Sequence, residues 1–190
     1  MDLSVFPFLS VMFAVIMGMG IVHLMIAIAA LLQNELNVKI YWVHAAWLFF
    51  LLLLHFHVWW GFWDFRLVNS WNYFTYLFML LGPVALFLAV KILIPEASQQ
   101  EKLDMREFYY RVHRQFYTTM ALAVLWGIMI YPVFFGKPDP VLEWLLLFLA
   151  VMIALAFLKN PKLHAVLTVV AWALFLTWVL SYGFTMQESG

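Results

Sequence analysis

The stretch His55-Phe56-His57-Val58-Trp59-Trp60-Gly61-Phe62-Trp63-Asp64 puts two imidazoles, three indoles and a carboxylate into ten consecutive residues of an otherwise apolar run. Imidazole is the side chain whose ordinary pKa lies near neutrality, so it can move protons, respond to pH or ligate a metal. What these residues can do depends on the backbone beneath them. In a strand, His55 and His57 would share a face and chelate one ion; in a helix they lie about 200° apart. The neighbouring Leu48–Phe56 run does not alternate between apolar and polar residues, which predicts a helix.

On a helix the motif splits into two faces. His44, His55 and Trp59 share one; His57, Trp60 and Asp64 share the other. Ionisable residues inside a membrane span face the bundle or a cavity, because an unpaired polar group against lipid is costly. With few helices available, the second face suggests contact with another copy of the chain, a homo-oligomer. A plainer account also fits. Trp59, Trp60 and Trp63 would form an interfacial aromatic belt, Asp64 and Arg66 would sit among headgroups, and neutral histidines would bond to neighbouring helices.

The remaining histidines fall into layers. His23 lies near mid-span, whereas His44, His113 and His164 each open a span, roughly 12–13 Å from its centre. With Arg111 and Arg114 they form an expected inner basic cluster, suited to a proton-responsive ring, an anion or a lipid headgroup. His44 paired with His113 or His164 would also supply axial ligands for haem b. Simple snorkelling toward the interface is the plainer reading. No H-E-x-x-H pattern and no cysteine support a divalent metal, and Asp64, Glu96 and Glu143 all lie at span ends.

Elements must hold these residues, and composition says what kind. The chain has 190 residues, 67% hydrophobic and 11% charged; soluble domains carry about 25% charged residues. This predicts an all-α integral membrane protein, a single polytopic domain over residues 1–190. Six apolar runs reach the roughly 20 residues that a span requires: about 3–32, 41–66, 71–95, 108–135, 141–158 and 163–184, which would pair as three helical hairpins. Gly82-Pro83 offers a break in the third, and Gly18-Met19-Gly20 a close approach to the first. Ser98-Gln99-Gln100-Glu101 is a capping-box pattern, so a helical extension over about 98–108 should run unbroken into the fourth span.

Basic residues are distributed unevenly. Lys39, Lys91, Lys102, Arg106, Arg111, Arg114, Lys159 and Lys162 fall on one side; Arg66 and Lys137 fall on the other. The positive-inside rule then places both termini on the outer, periplasmic side of a bacterial inner membrane. The first run has only Asp2 before it and no basic leader, so it reads as a retained span. A net charge of zero gives no reason to expect nucleic acid. No glycine-rich phosphate loop and no nucleophile beside a base argue for an enzyme.

Three functions follow as expectations. The first is an oligomeric channel or transporter for protons or a small inorganic ion, gated by histidine. His55, His57, Trp59, Trp60, Trp63 and Asp64 would line it. The second is a redox protein holding haem, quinone or another flat apolar ligand between aromatic residues. The third is a sensor or subunit without catalysis, signalling through residues 98–114 to a cytoplasmic partner. Membrane lipid is a partner in all three.

Overall fold

The structure is a computed structural model that describes residues 5–32, 38–68, 70–95 and 103–182. Among them are six α-helices: α1 (Val5–Leu32), α2 (Trp42–Gly61), α3 (Tyr73–Leu93), α4 (Met105–Phe135), α5 (Leu142–Phe157) and α6 (Pro161–Tyr182). A 3-10 helix, Phe62–Leu67, continues α2. The capping pattern at 98–101 and the end of the sixth span at 183–184 lie outside the described residues.

Five of the helices are long and apolar enough to cross a membrane. α5 has only 16 residues, about 24 Å at 1.5 Å per residue, against a hydrocarbon core of about 30 Å. Of the six expected spans, five are thus long apolar helices, and the fifth, expected over about 141–158, is a shorter apolar helix. Large apolar side chains such as Phe8, Phe74 and Leu180 stand on the outside of the bundle. Water would penalise such a surface, and acyl chains would cover it.

Local chemistry sets the helix ends. Asn72 caps α3 by accepting from the backbone N–H groups of Phe74 and Thr75, and Thr75 completes the capping box. Asn160 accepts from Lys162 N–H at 2.9 Å just before Pro161 opens α6. α4 ends at Gly136, whose φ of 64° is the left-handed conformation that glycine adopts without strain.

The start of α4 corrects the sequence reading. The helix does not run in from Ser98: Leu103–Asp104 is extended and pairs in parallel with Val38–Lys39. Asp104 caps the helix by accepting from Arg106 and Glu107, and its carboxylate meets Lys39 Nζ at 3.1 Å. The Lys39 bond and the capping bonds hold the Asp104 carboxyl below its ordinary pKa. The cap and the cross-strand ion pair at Asp104 set the start of α4 at Met105.

The helices close into a ring. α1 packs on α2 and α3, α3 on α4, α4 on α5, α5 on α6, and α6 returns to α2. α2 also touches α3 and α4 across the middle. Each sequence-adjacent pair of helices is in contact, but α4 packs against both α3 and α5, so the ring is not three separate hairpins.

Two glycines set close approaches. Gly20 on α1 seats the His55 imidazole, and Gly82 on α3 seats the Trp126 indole; a Cβ at either would run into the ring. α3 runs unbroken through Gly82-Pro83. The Trp126 indole N–H donates to Phe78 O at 2.7 Å, which fixes the ring over Gly82. Gly18, by contrast, faces open space. Gly20→Ala and Gly82→Ala should each lower unfolding stability in detergent by about 1–3 kcal/mol, the usual cost of overpacking. Gly18→Ala should cost nothing measurable. Equal losses at all three positions would contradict the packing described.

Candidate functional site

At the end of the bundle that carries the 3-10 helix, α2, α4, α5 and α6 frame a cavity of about 430 Å³. Small-molecule pockets typically run to about 300–1,000 Å³. The walls are aromatic: Trp60 and Trp63 from α2 and its continuation, Tyr131 from α4, Trp144 from α5, Trp178 from α6. His57 lies edge-on to Trp178, with ring centroids 4.1 Å apart. Asp64 and Asp139 bring carboxylates, and neither Lys nor Arg lines the space.

Tyr131 lies near both acidic groups, within electrostatic reach of Asp64 and of Asp139. Asp139 accepts the Val141 N–H at 2.8 Å, fixing the loop between α4 and α5. Burial pushes the Asp139 carboxyl above the ordinary carboxylate range, and the Val141 bond only partly offsets this. Outside the cavity, the Arg66 guanidinium lies 4.4 Å over the Trp63 ring and Lys137 Nζ 6.0 Å from the Tyr131 ring centroid.

The floor is solid. Phe148 and Phe175 line the cavity; Phe148 stacks on Phe50 with centroids at 5.6 Å, and Phe175 lies tilted to it at 5.0 Å. Phe50 meets Trp47 at 4.9 Å, and Trp47 meets Phe116 and Tyr117 at 5.6 and 5.1 Å. Trp47, Phe50, Leu51, Phe116 and Tyr117 have essentially no exposed surface.

Beyond this layer lies a buried polar chain. The His164 Nε2–H donates to Leu158 O at 2.8 Å, since a carbonyl can only accept. In the neutral ring Nδ1 is then the acceptor, and the Tyr109 hydroxyl donates to it at 2.8 Å. Tyr109 in turn accepts from Tyr117. Thr168 donates to His164 O at 2.7 Å and accepts from the Trp47 indole N–H at 3.0 Å. Every hydrogen-bonding group in the chain has a partner, as a low-dielectric interior requires.

The sequence-derived candidates divide between these places. His57, Trp60, Trp63 and Asp64 line the cavity. His55 and Trp59 turn to α1: His55 against Gly20, and Trp59 with its ring 6.1 Å from Phe13. Part of the second face of α2, through His57, meets α6 of the same chain, while Trp60 and Trp63 remain substantially exposed. His55 donates through Nδ1 to Leu51 O at 2.7 Å, which leaves Nε2 buried without a hydrogen-bond partner.

The inner cluster is divided too. His113 and His164 are neighbours, with ring centroids 5.4 Å apart. His44 turns away, donating to Leu93 O at 2.8 Å and meeting Phe108. His23 sits on α1, bonded to Met19 O and edge-on to Phe87. Arg111 pairs with Glu107 on the surface, and Arg114 lies over Phe157. Haem ligation by His44 or His164 would have to break the bonds that Leu93, Leu158 and Tyr109 make to their rings. Among the described residues no three His, Asp or Glu side chains are grouped to hold a metal ion.

Sequence reasoning missed Tyr131, Asp139, Trp144 and Trp178 in the cavity, and Tyr109, Tyr117, Thr168 and Trp47 in the polar chain. Asp139 read as turn chemistry between Pro138 and Pro140. Tyr109 and Tyr117 carry a usable signal, since eight residues is close to two helical turns and puts both hydroxyls on one face. Comparison with family models, curated proteins and solved structures finds no match for this chain.

Two predictions follow from these geometries. Tyr109→Phe strands His164 Nδ1 and the Tyr117 hydroxyl, and should cost about 1–3 kcal/mol in unfolding measurements. Tyr41→Phe, which removes a half-buried 3.2 Å contact with Tyr110, should cost less than about 1 kcal/mol; equal losses would contradict the burial difference. For Asp139, a folded pKa above the unfolded one means that stability falls as pH rises through the interval between them. Asp139→Asn should match wild type in thermal stability below about pH 4 and equal or exceed it at neutral pH. A variant less stable at neutral pH would overturn the burial argument.

Proposed function

We propose that this chain is a multi-pass membrane protein that binds a small organic ligand in the cavity framed by α2, α4, α5 and α6, loading it from one side. The observation that carries this reading is the combination of an aromatic cavity with a closed floor. A pocket of about 430 Å³ is lined by Trp60, Trp63, Trp144 and Trp178, while Trp47, Phe50, Phe116 and Tyr117, joined to its lining through Phe50 with Phe148 and Phe175, are fully buried. Such walls suit a flat or bulky apolar body, and the polar groups at Asp64, Tyr131 and Asp139 suit a head that fixes its orientation.

If the positive-inside assignment holds, the cavity faces the periplasm. The ligand would be taken from that side or from the outer leaflet. A histidine-gated path for protons or inorganic ions is the competing reading, and it would need His55 and His57 to serve one conduit.

Gly127 offers a direct test, because it lines the cavity and a side chain there meets only open space. Purified protein should bind an apolar fluorescent probe saturably, with quenching of tryptophan emission. Gly127→Phe should abolish that binding while leaving the unfolding temperature within a few degrees of wild type. Gly18→Phe, which also enters open space but on α1, should bind normally. Probe binding that survives Gly127→Phe would reject the cavity. Proton or ion flux in proteoliposomes that depends on both His55 and His57 would favour the competing path.

A further inference from the structure

We infer that the ligand of this cavity is an organic ammonium ion, its cationic head held among Asp64, Asp139 and the indole faces of Trp60, Trp63, Trp144 and Trp178. This names the ligand class for the site proposed above and rests on that reading.

The carboxylates alone would not define a site; the walls around them do. Indole faces carry the negative lobe of the ring quadrupole and attract cations, more strongly where water is excluded. Two rings of this cavity already hold protein cations nearby, Trp63 under Arg66 and Tyr131 near Lys137. Neither Arg66 nor Lys137 lines the cavity. The potential that draws cations to the outside of these rings therefore acts on an interior with no lysine or arginine of its own.

The polar groups point the same way. Asp64 and Asp139 bring two carboxylates into the lining, which contains no lysine or arginine. An ammonium head is attracted to that negative charge, and a phosphate or carboxylate group is repelled by it. Asp139 is half-buried and lies next to Pro140 and Val141 in the lining. A desolvated carboxylate gains most from a cation delivered to it, because fewer water contacts compete.

An ammonium head of this kind belongs both to free quaternary amines and to choline-type lipid headgroups. The test separates them. Full-length protein in a neutral maltoside detergent is titrated with benzyltrimethylammonium and with its neutral isostere neopentylbenzene, following tryptophan emission. The same titration is repeated in nanodiscs of phosphatidylglycerol with or without phosphatidylcholine. The expected result is saturable binding of the cation at least about tenfold tighter than the isostere. Asp64→Asn and Asp139→Asn should each weaken the cation by about tenfold and leave the isostere unchanged. Competition by phosphatidylcholine would assign the ammonium to a lipid headgroup; undiminished binding in its presence would assign it to a free amine. Equal affinity for cation and isostere, or indifference to both substitutions, would overturn the ammonium assignment and leave the cavity reading standing. If neither compound binds in a way that Gly127→Phe abolishes, both fall.

Discussion

The architecture turns on Trp47. Its indole N–H donates to Thr168 on α6, and its ring packs edge-on to Phe116 and Tyr117 of α4 and tilted to Phe50 of α2. One fully buried side chain thus joins α2, α4 and α6. In an apolar surrounding no water is at hand to satisfy a stray N–H or hydroxyl, so polar groups must find partners inside the bundle. Trp47 begins a chain that runs through Thr168 to His164, Tyr109 and Tyr117 and leaves no group in it unpaired. The same ring is the keystone of the aromatic layer that closes the cavity from below. The seal and the polar chain are two consequences of one packing solution.

The cavity exists at the opposite end because the helices do not match in length. α4 has 31 residues and α5 has 16, so the helix pair cannot be filled evenly along its length. The connection from Gly136 to Val141 turns inward and brings Asp139 against the wall. Aromatic side chains from four helices then surround the space without filling it. The loop residue Asp139 thus brings a carboxylate to an aromatic cavity in a chain that is two-thirds hydrophobic.

Much of this was legible in the sequence, for physical reasons. The division of α2 into two faces follows from the helical period, and it correctly separates His55 and Trp59, which face α1, from His57, Trp60 and Asp64, which face the cavity. What that reasoning could not see was the neighbour. Part of the second face, through His57, meets α6 of the same chain because α4, α5 and α6 close the ring, a long-range outcome that no local pattern encodes. The inner histidines show the same limit. Depth along a helix put His44, His113 and His164 in one layer, but azimuth turned His44 toward Leu93 and paired His113 with His164. At the start of α4, an unbroken run from Ser98 was expected because the contact that sets the helix end, Lys39 with Asp104, joins residues 65 apart.

The central claim is that the aromatic layer separates a one-sided cavity from the rest of the bundle. The chain has no cysteine, so single cysteines can report on accessibility without background. In proteoliposomes, a membrane-impermeant maleimide should label Trp63→Cys and Trp144→Cys from one face of the membrane only. Leu51→Cys and Phe116→Cys should stay unlabelled from either face. Labelling of the layer positions, or of the cavity positions from both faces, would mean a continuous path through the protein and would contradict this account.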